Sequence, residues 1–173
     1  VLIDQFIDRT KSRPATFFDE GIVAHVGFGH PVCEAMRTYL LEASREVGAI
    51  AHDGGTYVCM EGPAFSTVAE SNLYRSWGAS VVGMTNLTEA KLAREAEISY
   101  ATVAFSTDYD CWHPDHDAVT VDAIIAVLMK NVQLSKEIIK AAVKKVAAHE
   151  GPAPCHDALA TAILTQKDAI SPK

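Results

Sequence analysis

The chain has 173 residues, of which 49% are hydrophobic and 21% charged, and a net charge of −7. That is enough for a single domain, 1–173, with a sizeable core. The acidic balance argues against a nucleic-acid groove, whose main work is neutralising phosphates, and no apolar run approaches the length of a membrane helix. It leaves room for a small anionic ligand, which needs a local cluster of donors rather than a basic surface.

In chain order, VLIDQF predicts a short strand and residues 8–23 a long functional loop. Pro31 opens an amphipathic helix with Val32, Met36, Tyr39 and Leu40 on one face, closed near Gly48. Gly54-Gly55 marks a turn, and TYVCM (56–60) a strand. Ser66 or Thr67 caps the next helix, with Glu70 three beyond Thr67 completing a capping box, and this helix runs to Gly78. ASVVGM is a strand ending at Thr85, and Asn86 to Glu97 a helix. ISYATVAFS (98–106) predicts a further buried strand. A polar loop, a long helix from about Val119 to Ala148, a short amphipathic helix over CHDALATAIL and an unstructured SPK tail complete the chain. Alternating strands and helices predict an α/β fold with parallel strands joined by crossover helices.

In such sheets a site forms at the carboxyl ends of the strands. EGPAF, MTN and TDYD all fall there. In TDYD, Asp108 and Asp110 stand two apart, so a continuing strand would turn both carboxylates to one face. Asp is also a common turn residue, and Phe65 and Met84 suit a core as well as a site. Cys111, His113 and His116 have the look of a metal cluster, but Pro114 breaks the helix that would align them and no fourth ligand stands out, so no metal is expected. Four cysteines without a C-x-x-C pair predict reduced thiols and a cytoplasmic setting.

The segments EGPAFSTVAES (61–71), RSWGA (75–79), GMTNLTEAKLAREAEI (83–98) and TDYDCW (107–112), with IDQFIDRT (3–10), resemble the methylthioadenosine phosphorylases of the trimeric purine nucleoside phosphorylase family. The likeness runs to about Val132 and thins beyond it. It implies a phosphorylase-type mixed sheet flanked by helices, here lacking the family's N-terminal strands. It implies phosphorolysis of 5′-methylthioadenosine to adenine and 5-methylthioribose 1-phosphate, in purine and methionine salvage, with inorganic phosphate as co-substrate and no cofactor. Phe65 would pack on the purine and Ser66 would stand where 6-oxopurine enzymes carry a glutamate. Met84 would lie under the ribose, Thr85 would donate to phosphate, and His25 would lie near the ribose 5′ end. Val121, Ile124 and Ile125 would line an apolar 5′-methylthio pocket, and Asp108 and Asp110 would face N7 and the 6-amino edge, with Asp108 as the acid. His30 stands where relatives tend to carry an acidic residue.

An acid at N7 must stay protonated near neutral pH, which a desolvated pocket and a neighbouring carboxylate both favour. An ionised carboxylate accepts from a 6-amino group and cannot donate to a 6-oxo group, which favours adenine. A preference for methylthioinosine or ordinary purine nucleosides is the nearest alternative. The chain opens on VLIDQFIDRT without an initiator Met, and the family's glycine-rich phosphate loop is absent. A longer protein, or a second chain carrying the N-terminal half, is therefore expected, as is a homotrimer. The alternative of another class is a catalytically incomplete fragment that serves as a subunit or binding partner.

Overall fold

The computed structural model describes residues 1–113 and 121–170. Three parallel strands form one sheet among these residues, in the order β1 (Gln5–Arg9), β2 (Thr56–Met60), β3 (Ala79–Gly83). The connections carry α1 (Glu34–Glu46) and α2 (Val68–Ser76), and β3 leads into α3 (Leu87–Glu95). The long helix α4 (Val121–Ala147) follows. This is the expected α/β class, a parallel sheet flanked by helices.

β1 begins and ends later than VLIDQF predicts. Asp4 is used by the glycine turn: its amide donates to the Gly55 carbonyl and its Oδ1 accepts from the Gly55 amide. Continuous pairing then starts at Gln5 opposite Thr56 and runs to Arg9 opposite Met60. Leu2 and Ile3 precede the strand and are among the most buried residues of the chain.

TYVCM forms the strand expected of it, and α2 carries the expected capping box. The Glu70 amide donates to Thr67 Oγ1 at 3.2 Å, and the Thr67 amide donates to Glu70 Oε2 at 2.8 Å. α1 starts three residues after Pro31, because the Cys33 amide is tied to the Tyr100 carbonyl at 2.8 Å.

Two expected elements do not form. ISYATVAFS makes a single antiparallel bridge, Val103 to Leu2, and no strand. Ala101, Val103 and Phe105 are half-buried against the α1–α4 core while Ile98 is exposed, because an apolar run does not by itself supply a hydrogen-bonded neighbour. CHDALATAIL forms one short 3-10 helix, Pro154–Asp157, followed by turns. Residues 162–164 pair instead with 23–25 of the same chain, through His25 N–H to the Ala162 carbonyl and Leu164 N–H to the Val23 carbonyl, both 2.9 Å. A ten-residue helix is marginal by itself, so the tertiary partner wins. The expected start of α4 before Val121 and the SPK tail lie outside the described residues.

One core cluster joins Leu40, Leu41 and Ala43 of α1 to Ile138 and Ala142 of α4 and to Leu2. A second lies across the sheet and α3, with Ile3, Tyr57, Cys59 and Leu87. α3 starts at Asn86, whose side chain does not cap it. Its Oδ1 accepts instead from Tyr100 Oη at 2.6 Å and Thr102 Oγ1 at 2.8 Å, which pins the 98–102 stretch over the helix start.

Candidate active site

The carboxyl ends of β2 and β3 are drawn together by a guanidinium. Arg13, from the loop after β1, donates to the Met84 carbonyl, to the Glu61 carbonyl at 2.5 Å and, more weakly, to the Met60 carbonyl at 3.4 Å. Its Nε lies 3.5 Å from Glu61 Oε2. An arginine fork collects carbonyls that a strand end leaves without partners. Glu61 also accepts from the Lys11 amide at 2.8 Å, so the loop crosses the strand ends at two points.

Between those strand ends the packing is tight. A Cβ at Gly62 would meet Met84 Sδ at 2.7 Å, so glycine allows the EGPAF loop to lie against Met84. Burial pushes the Tyr57 phenol and the Cys59 thiol up, and both stay neutral. The Cys59 S–H donates to the Thr85 carbonyl at 3.0 Å, and Thr85 stands beside the Tyr57 phenol with its own side chain exposed. Ser66 Oγ donates to Met60 Sδ at 3.2 Å.

Asp108 and Asp110 do not share a strand face, because residues 107–110 are not a strand. Asp108 is exposed, its Oδ1 accepting from Thr107 Oγ1 at 2.8 Å. Asp110 is half-buried and turned onto α2. Its Oδ2 accepts from Ser71 Oγ and its Oδ1 from the Cys111 amide at 2.8 Å. Burial, followed by the Asp110 charge, holds the Cys111 thiol up, and this neutral S–H donates to the Ser66 carbonyl at 3.4 Å. The Arg75 guanidinium lies 3.7 Å over the Trp112 ring, a cation–π contact.

The structure thus gathers Ser66, Met84, Thr85 and Asp110 at one end of the sheet, linked through Met60, Gly62, Cys59 and Cys111. Phe65 belongs to the same loop but is 83% exposed, touching the site through its backbone neighbours rather than its ring. Ile125 is exposed on α4, and the side chains of Val121 and Ile124 lie outside what is described. His25 lies elsewhere: it lines a cleft of about 450 Å³ with Phe18, Val26, Phe28, Lys91 and Glu95. A smaller cleft, about 210 Å³, lies between α1, α4 and residues 103–106. Neither cleft is lined by Phe65, Met84, Thr85, Asp108 or Asp110. His116 lies outside the described residues.

Arg13, Ser71 and Arg75 were not singled out as site residues from the sequence. Ser71 and Arg75 carry a visible signal, since a spacing of four puts them on one face of α2. What that face meets is a tertiary fact. Arg13 carries no such signal, since a cation before a proline in a loop has no periodic context.

A family model for the Phosphorylase superfamily matches residues 1–144. A curated S-methyl-5′-thioadenosine phosphorylase from Koribacter versatilis (strain Ellin345) is 62% identical over 170 residues, covering 98% of this chain and 58% of that protein. One of the same name from Thermosynechococcus vestitus is 58% identical over 173 residues, covering 98% of this chain and 60% of that one. The chain therefore spans about three fifths of the length of the curated relatives it matches. Among solved structures, a methylthioadenosine phosphorylase from an antarctic soil metagenomic library matches at 46% identity and a TM-score of 0.90, covering 98% of this chain and 60% of that one. A methylthioadenosine phosphorylase from Schistosoma mansoni in complex with adenine matches at 33% identity and a TM-score of 0.78, covering 86% and 59%. With the parallel sheet, the strand-end loops and these matches in agreement, the chain belongs to the Phosphorylase superfamily.

Proposed function

We propose that the protein catalyses phosphorolysis of 5′-methylthioadenosine, giving adenine and 5-methylthioribose 1-phosphate, and that this chain supplies the purine and ribose side of the site. What carries the reading is the gathering of EGPAFS, MT and TDYD at one end of the sheet, in a chain 62% identical over nearly its whole length to a protein of that name. A phosphate oxygen attacks the ribose C1′, the bond from C1′ to the purine N9 breaks, and its electron pair leaves with the base. Asp108 gives a proton to N7, neutralising the charge that builds on the leaving purine. Asp110, an acceptor at both oxygens, takes the 6-amino donor. Met84 packs under the ribose, whose cation-like transition state parallels that of glycoside hydrolysis. Thr85 positions phosphate, together with ligands from the family's glycine-rich section, supplied by a preceding segment or a second chain. Phe65 covers the purine face. His25, Val121, Ile124 and Ile125 serve the 5′-methylthio end, His25 from a surface away from Asp110. No metal or organic cofactor enters the chemistry. A cytoplasmic homotrimer working in purine and methionine salvage completes the reading, the four free cysteines being in keeping with a reducing compartment. No described helix is long and apolar enough to cross a membrane.

The test is adenine release from methylthioadenosine and inorganic phosphate by the full-length protein. Phosphate-dependent release is expected, and Asp108→Asn should lower kcat by roughly 10²–10⁴-fold, the usual contribution of a positioned general acid. Adenine binding without release would show a purine side lacking its phosphate side, and would favour the catalytically incomplete subunit. Absence of both would end the phosphorylase reading.

A further inference from the structure

We propose that Ser71 is a positioning residue that holds Asp110 as a hydrogen-bond acceptor and thereby sets the preference for a 6-amino over a 6-oxo purine. This rests on the phosphorylase reading above, which places Asp110 at the base edge, and adds a residue from a helix that does not face the substrate in that reading.

The loop carrying Asp110 pairs in no strand among the described residues, and its own turn is closed by the His113 amide on the Asp110 carbonyl at 2.9 Å. After Ala104, whose amide donates to the Val1 carbonyl, no described residue up to Asp110 pairs in a strand. The Ser106 carbonyl is held by Asn131 Nδ2 at 3.0 Å, and beyond it the loop is tied to α2 and to Ser66 just before that helix. Three contacts do this: the Cys111 thiol on the Ser66 carbonyl, Ser71 Oγ on Asp110 Oδ2, and Arg75 over Trp112. Ser71 and Arg75 stand one turn apart on the same face. Cys111 and Trp112, the two residues after Asp110, hold the backbone next to the contact that reaches the carboxylate.

Ser71 is 1% exposed, and its hydroxyl has one proton to give. A buried helical serine often returns that proton to the carbonyl four residues back. Here the Thr67 carbonyl takes the Ser71 amide, and the hydroxyl turns outward to Asp110. With the Cys111 amide on the other oxygen, both carboxylate oxygens of Asp110 act as acceptors toward donors among the described residues. A 6-amino N–H finds an acceptor there, and a 6-oxo group finds no donor. Without Ser71, the carboxyl can rotate out of the orientation in which it accepts from a 6-amino group.

The experiment compares kcat and KM for 5′-methylthioadenosine and 5′-methylthioinosine in the full-length protein, with Ser71→Ala, Asp110→Ala and the double variant. Ser71→Ala should lower kcat/KM for the 6-amino nucleoside about tenfold, the scale of one hydrogen bond to a charged group. The 6-oxo nucleoside should change little, so that discrimination narrows by the same factor. Ser71→Thr, which keeps the hydroxyl, should restore most of it. In the Asp110→Ala background Ser71→Ala should cost nothing further, because the two act as one unit. Equal losses on both nucleosides, or additive losses, would overturn the proposal and leave Ser71 as packing. If Ser71→Ala does not fold, as judged by circular dichroism, Ser71→Cys keeps the volume with a weaker donor, and the same ratio decides. Parent enzyme inactive on both nucleosides would instead overturn the phosphorylase reading, and this proposal with it.

Discussion

Gly83 ends β3 directly against Tyr57. A Cβ placed there would fall 1.9 Å from the Tyr57 hydroxyl oxygen and 2.6 Å from the ring carbon that bears it. The ring belongs to a buried cluster with Ile3, Cys59 and Leu87, so it has little room to step aside. Gly83→Ala should therefore destabilise the fold by about 1–3 kcal/mol, the usual range for overpacking a core. It should also displace Met84 and Thr85, which follow directly in the chain. Urea unfolding of the variant reads the first effect as a lower midpoint at unchanged slope. A midpoint equal to the parent's would mean that the ring relaxes freely, and that Gly83 is not a packing constraint. The same residue shows what a glycine in a strand cannot disclose from sequence. GMT reads as a strand end either way, and the phenol that excludes a side chain comes from a strand more than twenty residues earlier.

At the scale of elements, α2 carries contacts to the candidate site that are described for no other helix. Its first turn is closed by Thr67 and Glu70, and one face carries the buried Ser71 and the exposed Arg75. Hydrogen bonds from the Thr67 amide and then the Thr67 hydroxyl hold the Glu70 carboxyl below its ordinary value of 4.5. A carboxylate whose pKa is depressed by folding stabilises the fold above its unfolded pKa, and loses that contribution as pH falls through the folded value. The capping box should thus be fully formed at neutral pH, begin to weaken below about pH 4.5 and be lost in stronger acid. Amide exchange at the first turn of α2, divided by its intrinsic rate at each pH, should rise in that window in the parent. In Glu70→Gln the rise should be absent. A rise of equal size in both proteins would assign it to another group. This box was legible in STVAES because its chemistry is local, with donors and acceptors three residues apart. The failure of 98–106 to form a strand was not legible, because a ladder needs a neighbour that the segment does not contain.

For the whole molecule, α4 presents two unlike faces. Ile138 is 2% exposed and joins α1 and Leu2 in one core, whereas the adjacent Ile139 is 56% exposed. Ile138→Ala should cost about 2–5 kcal/mol in the lost transfer energy and the cavity left behind. Ile139→Ala should stay within about 0.5 kcal/mol, as exposed substitutions do. Paired urea titrations of the two variants check this. A cost at Ile139 matching that at Ile138 would mean that the outer face of α4 is covered in solution. The same face of the molecule exposes Leu128, Met129, Val132, Val143 and Val146, more apolar surface than isolated surface residues account for.

What the sequence determined by itself is whatever depends on near neighbours in the chain. TYVCM, the capped helix after it, the glycine-terminated strand and the order of strand and helix, hence the α/β class and the end of the sheet where a site forms, all follow from periodicity and capping. The motifs EGPAFS, GMT and TDYD were enough to mark the family. The tertiary structure decided the rest. It separated Asp108 from Asp110, turning one to solvent and one onto Ser71. It placed His25 in a cleft that the other candidate site residues do not line, and used Arg13 to draw two strand ends together. It paired residues 162–164 with 23–25 rather than letting them coil. In each case the deciding partner lies far away in sequence, and hydrogen bonds, ring packing and close backbone approach are properties of pairs that no single segment contains.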